Sequence, residues 1–181
     1  KENKKTKKWL KIAFIPFGVC VGFTLITLNT IPLVIGTTYL STVSIIKLLK
    51  DGKETGITFR GIPNGHEFTS LLLAVLNADG KGKNLPDEMI CQRIKSLKGA
   101  IRLQTYVSLT CTNCPDIVQA LNIMALQNPN LTHEMVDGAL FQDEVNRLNI
   151  QAVPAVYADG EMRHMGRGSL GELLQKLEER F

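Results

Sequence analysis

The chain has 181 residues, 44% of them hydrophobic and 21% charged, with four cysteines. That bounds it to one medium domain or two small ones and excludes both a disordered chain and a cysteine-stapled secreted scaffold. The net charge of +4 hides an asymmetry, because residues 1–50 carry eight Lys and one Glu while residues 51–181 carry thirteen basic and sixteen acidic side chains. A basic face for nucleic acid is therefore not expected, since the part built to fold is mildly acidic.

A lysine-rich head with Trp9 is followed by thirty-five residues without a charge, from Ile12 to Ile46. A run of this length is enough for one membrane-spanning helix of about twenty residues, but Pro16 and Asn29-Thr30-Ile31-Pro32 interrupt it. Lysines at both ends favour a hairpin turning at Asn29 to Pro32, with both ends on the cytoplasmic side, or no insertion. Residues 1–50 are thus set apart as an apolar segment, either a membrane contact through 12–46 or a segment foreign to the fold. A cleaved signal peptide is not expected.

Residues 51–98 change character. Asp51-Gly52 is a turn signal, and Gly56 to Gly61 reads as a short strand ending before Ile62-Pro63. From His66 a helix is expected, with Phe68, Leu71, Leu72, Val75 and Leu76 on its apolar face and Gly80 beyond its end. Strand, proline turn and helix make half of a thioredoxin-like unit without cysteine. Lys81 to Pro86 is a polar linker, and Asp87 to Lys98 is a helix with Met89, Ile90, Ile94 and Leu97 inward.

Residues 99–181 carry the chemistry. Ile101, Leu103, Thr105, Val107 and Leu109 alternate with polar partners as in a strand, and from Ile117 to Gln127 the apolar residues follow a helical face. Between them stands Cys111-Thr112-Asn113-Cys114, with Pro115 in the first helical turn. A strand at 131–137, a short helix over Phe141 to Leu148, the Val153-Pro154 bend with its strand, a hairpin at Asp159-Gly160 and a helix capped by Ser169 follow. The order β-α-β-α-β-β-α is a complete thioredoxin-like unit.

Cys-x-x-Cys at the entrance of a helix is a redox arrangement. The unpaired N–H groups of the first turn favour a thiolate at Cys111, and Cys114 stands one turn away to resolve a mixed disulfide. Two other readings compete. A zinc site could draw on Cys91, Cys111, Cys114 and His133, though no second Cys-x-x-Cys supports it, and the loop also looks like that of soft-metal carriers. Cys20 and Cys91 read as small buried hydrophobes.

GIPNGHEFTSLLLAVLNADG at 61–80, with YVSLTCTNCPDIVQALNIMALQNP and VPAVYADGE downstream, closely resembles the N-terminal domain of the flavoprotein subunit of alkyl hydroperoxide reductase. The resemblance implies two fused thioredoxin-like folds, only the second of which keeps a dithiol. It implies a relay passing electrons from a flavin and NADH module to a peroxiredoxin, in the cytoplasm. It places the dithiol on Cys111 and Cys114, a cis-proline loop that receives substrate on Val153 and Pro154, and contacts to the incoming chain on Thr112 and Asn113. Glu67 falls on the family's acidic residue beside the dithiol, where it would hold or pass a proton and tune the thiolate; its other reading is an N-terminal charge on its own helix. His66 is expected to pack between the folds.

Two departures stand out. Residues 1–50 do not look like the first half of a fold. FAD and NADH would belong to a separate module, because no Gly-x-Gly-x-x-Gly stretch is expected in these residues. A membrane-anchored thiol oxidoreductase is the other enzymatic reading.

Overall fold

The computed structural model describes residues 10–16, 44–83 and 85–179. The expected turn at Asn29 to Pro32 and the charged start of the chain lie outside them. The described strands are β1 (Leu10–Pro16), β2 (Ser44–Lys50), β3 (Lys53–Arg60), β4 (Ile101–Val107), β5 (Leu131–Asp137), β6 (Ala155–Ala158) and β7 (Glu161–Met165). The helices are α1 (Phe68–Ala78), α2 (Glu88–Ser96), α3 (Cys114–Gln127), α4 (Gln142–Arg147) and α5 (Leu170–Glu178). A 3-10 turn, Gly65–Glu67, leads into α1.

All seven strands form one sheet in the order β1-β2-β3-β5-β4-β6-β7. The first three are antiparallel, β3 runs parallel to β5 and β5 parallel to β4, and β6 and β7 return antiparallel. From β4 onward the order is the expected β-α-β-α-β-β-α. The fold is thioredoxin-like.

The head is read differently by the structure. Ser44–Lys50, expected from its sequence to belong to the apolar segment, is a sheet strand whose Ile46 and Leu48 are buried. A continuous apolar run hides this, because Ile45 and Leu49 are apolar on the other face and blur the alternation. Leu10–Pro16 pairs with it, Ile12 opposite Leu48. Among the described residues no helix is long and apolar enough to cross a membrane.

One face is rotated relative to expectation. On α1 the residues against α3 are Ser70, Ala74 and Ala78, flanked by the half-buried Leu71 and Val75, while Phe68 and Leu72 are exposed. Small side chains let the two helices approach closely. On α2 and its C-cap Ile94 and Leu97 are buried and Ile90 packs against the core as expected, Cys91 joins them, and only Met89, 69% exposed, turns outward.

Gly166-Arg167-Gly168-Ser169-Leu170-Gly171 does have the Gly-x-Gly-x-x-Gly spacing. It follows an antiparallel strand, however, and its helix entrance is already satisfied by a capping box between Ser169 and Glu172. A Cβ at Gly168 would lie 2.7 Å from His164 Nε2. The segment is packed against its own protein and does not fit a dinucleotide phosphate.

Candidate active site

β4 ends at Val107, and the loop behind it delivers the cysteines. Cys111 N–H donates to the Ser108 carbonyl, and Cys114 is the first residue of α3, with Asn113 before it and Pro115 in the first turn. The helix therefore opens on Cys114 rather than on Cys111. The two form a disulfide with Cα atoms 5.5 Å apart. They are not equivalent: Cys114 is fully buried beside Val107 and Val118, while Cys111 is half-buried at the edge of the same cluster.

The Val153–Pro154 peptide is cis. It lies across from the dithiol, with Cys111 Sγ 3.9 Å from the Val153 carbonyl oxygen. Val153 is half-buried, Pro154 is buried and Thr112 is exposed. Forty-odd residues of chain separate these groups, and the adjacency of β4 and β6 brings them together.

The turn Gly65–Glu67 docks on the same loop. His66 N–H donates to the Leu109 carbonyl at 3.2 Å, and Gly65 approaches so closely that a Cβ there would sit 2.6 Å from that oxygen. His66 itself is exposed, so the expectation that its side chain packs between the folds is wrong; its backbone makes the contact. Glu67 is buried against α3. Among the described residues neither of its carboxylate oxygens reaches a hydrogen-bond partner, nor does the buried Ser70 hydroxyl. Burial pushes the Glu67 carboxyl up to about 7; the nearby Ser70 hydroxyl, although it closes no full hydrogen bond, opposes the rise, and the charge of Asp116 adds to it.

The zinc set does not assemble. His133 is buried in the sheet, 2.8 Å from Thr105 Oγ1 and 2.7 Å from Asn122 Oδ1, and burial pushes it down to about 3. Cys91 is buried on α2 with its sulfur facing the Pro86 carbonyl. No group of three or more metal-ligating side chains occurs among the described residues.

One site neighbour goes unnoticed in the sequence, where Gly166-Arg167-Gly168 reads only as a break. Arg167 Nε–H donates to Asn113 Oδ1 at 2.9 Å. A cation between two glycines after a hairpin is the only signal it offers.

The chain is similar to known proteins of this fold. A profile of the thioredoxin domain family matches residues 101–179. The F component of alkyl hydroperoxide reductase from Staphylococcus aureus (strain N315) is 50% identical over 128 residues, covering 71% of this chain and 25% of that protein. The chain is a thioredoxin-fold relative of that reductase component. A protein called NADH dehydrogenase in Bacillus subtilis (strain 168) is 50% identical over 126 residues, 70% of this chain and 25% of its own length. The crystal structure of the NTD_N/C domain of alkylhydroperoxide reductase AhpF from Enterococcus faecalis superimposes with a TM-score of 0.68 at 38% identity, covering 74% of this chain and 64% of that one. The chain spans about a quarter of the length of the curated relatives it matches.

Proposed function

We propose that the chain is a two-electron thiol–disulfide relay, taking electrons from a separate flavin module fed by NADH and passing them to the disulfide of a peroxiredoxin in the cytoplasm. The observation that carries this is the asymmetry of the pair: a half-buried Cys111 facing the cis-proline bend and a buried Cys114 behind it. In the reduced state the Cys111 thiolate attacks one sulfur of the partner's disulfide, forming a mixed disulfide and expelling a partner thiolate. Cys114 then gives up its proton and attacks Cys111 Sγ. The Cys111–Cys114 bond forms, the second partner thiolate leaves, and two electrons have moved with no net loss of atoms.

Glu67 supports the second step. With its carboxyl raised to about 7 it can take the Cys114 proton at neutral pH and return it when the pair is reduced again. Thr112 and Asn113 form the rim on which the incoming chain lies. The separate module supplies flavin and nicotinamide chemistry, and no step in these residues uses it.

Cys114→Ser should trap the peroxiredoxin covalently through Cys111 in the presence of its oxidised form, read on a non-reducing gel. Trapping by Cys111→Ser instead would reverse the two roles, and trapping by neither would sink the relay. Glu67→Gln should slow resolution of the mixed disulfide by roughly tenfold or more while leaving the first attack intact.

A further inference from the structure

Arg167 belongs to a segment tied into both halves of the site. Gly166 N–H donates to the Pro154 carbonyl at 2.8 Å, joining the segment to the proline bend. The buried His164 lies with Nε2 3.0 Å from the Gly166 carbonyl and 2.9 Å from the Arg167 carbonyl, while Lys176 Nζ is 2.9 Å from Nδ1. Two acceptors at Nε2 and an ammonium donor at Nδ1 allow one arrangement: Nε2 carries the proton and donates, and Nδ1 accepts. The backbone of Arg167 is thus pinned from beneath.

The side chain is exposed, and it is held at one end only. Its Nε–H is spent on Asn113 Oδ1, inside the Cys-x-x-Cys turn. No carboxylate pairs with it among the described residues, although Asp116 lines a cavity together with Gly168 and Ser169. What remains is the outer edge of a planar guanidinium, oriented in advance and facing solvent beside the dithiol. That edge is shaped for a carboxylate, which it can bind with two parallel hydrogen bonds.

We infer that Arg167 is a specificity residue, anchored on Asn113 at the rim of the dithiol to receive a carboxylate that flanks the disulfide of the incoming protein. The inference rests on the relay reading and adds the chemistry of what is recognised: an acidic side chain or chain terminus beside the oxidised pair. Orientation by Asn113 and by the proline bend lowers the ordering cost of the contact, and the cation draws acidic partners in before sulfur meets sulfur.

The test uses the full chain, reduced with dithiothreitol and desalted, and three small disulfides of different charge. These are dianionic 3,3′-dithiodipropionate, neutral bis(2-hydroxyethyl) disulfide and dicationic cystamine, with formation of the Cys111–Cys114 bond followed by quenched-flow mass mapping. Arg167→Gln should lower the ratio of the anionic to the neutral rate by roughly two- to fivefold, the range of an exposed charge contact. The wild-type preference should shrink as salt is added. Arg167→Lys should keep most of it, and Arg167→Glu should turn it toward cystamine. An unchanged ratio in Arg167→Gln overturns the inference. So does a fall of all three rates by a common factor, since that would make Arg167 a stabiliser of the Cys111 thiolate. Wild-type protein that oxidises with none of the probes removes the relay itself, before any variant is compared.

Discussion

Glu67 shows how much one buried carboxyl can decide. Its ordinary value is 4.5 and its folded value about 7, so between those pH values the native state holds a proton that the unfolded chain has lost. Stability therefore falls as pH rises from 4.5 to 7 and stays low above, a difference of roughly 3 kcal/mol for a shift of this size. Glu67→Gln should raise the stability of the oxidised protein at pH 8 by roughly 2–3 kcal/mol and leave it unchanged at pH 4, measured by urea denaturation. A variant with the same pH slope as wild type would show that the carboxyl is not buried as described. Glu144 runs the other way. Its hydrogen bonds from Arg60 hold it below the usual carboxylate range, with Tyr106 adding to the effect, so its contribution is present above pH 4.5 and is lost as pH falls through its folded value.

At the scale of elements, the site depends on the turn before α1, and the segment behind it on the cap of α5. Gly65 has φ +54, and a Cβ would strike the Leu109 carbonyl. Gly65→Ala should destabilise the protein by roughly 1–3 kcal/mol and move the Glu67 turn off the dithiol loop, which a lost pH dependence would report. Ser169→Ala removes one arm of the capping box on α5 and should cost about 1 kcal/mol, read as a shift in the denaturation midpoint. Elements of this kind were legible in the sequence where chemistry is local. The Asp51-Gly52 and Asp159-Gly160 turns appear as expected, each with both residues at positive φ. So do the Ser169 cap and the strand at 131–137. The face of α1 was not legible, because Phe68 and Leu72 follow the periodicity of Leu71 and Val75, and only close packing on α3 selects alanine over leucine.

At the scale of the whole molecule the described strands form one sheet, and this governs how it should unfold. β3 pairs with β5 from Ile57 opposite His133 to Arg60 opposite Val136, so the part before residue 99 continues directly into the redox part. Arg60 adds a second tie, with Nη1 3.0 Å from Glu144 Oε2 and the guanidinium 3.9 Å over the Phe141 ring. Residues 44–179 should melt in a single transition by calorimetry, with van't Hoff and calorimetric enthalpies equal. Two resolved transitions would mean that the parts are independent. Arg60→Ala should lower stability by roughly 1–3 kcal/mol, since it leaves the partly buried Glu144 without its cation.

Local physics in the chain determined the identity of the redox pair, the turns that flank it and the order of strands and helices after residue 100. Spacing along a strand or a helix carries that information without help from distant residues. Tertiary structure alone decided the rest: that Cys114 is sealed while Cys111 is reachable, that Glu67 loses its water against α3, that Ser44–Lys50 joins the sheet, and that Arg167 reaches Asn113. Each of these is a matter of desolvation or of contact between segments remote in sequence, and neither is written in the spacing of any one stretch.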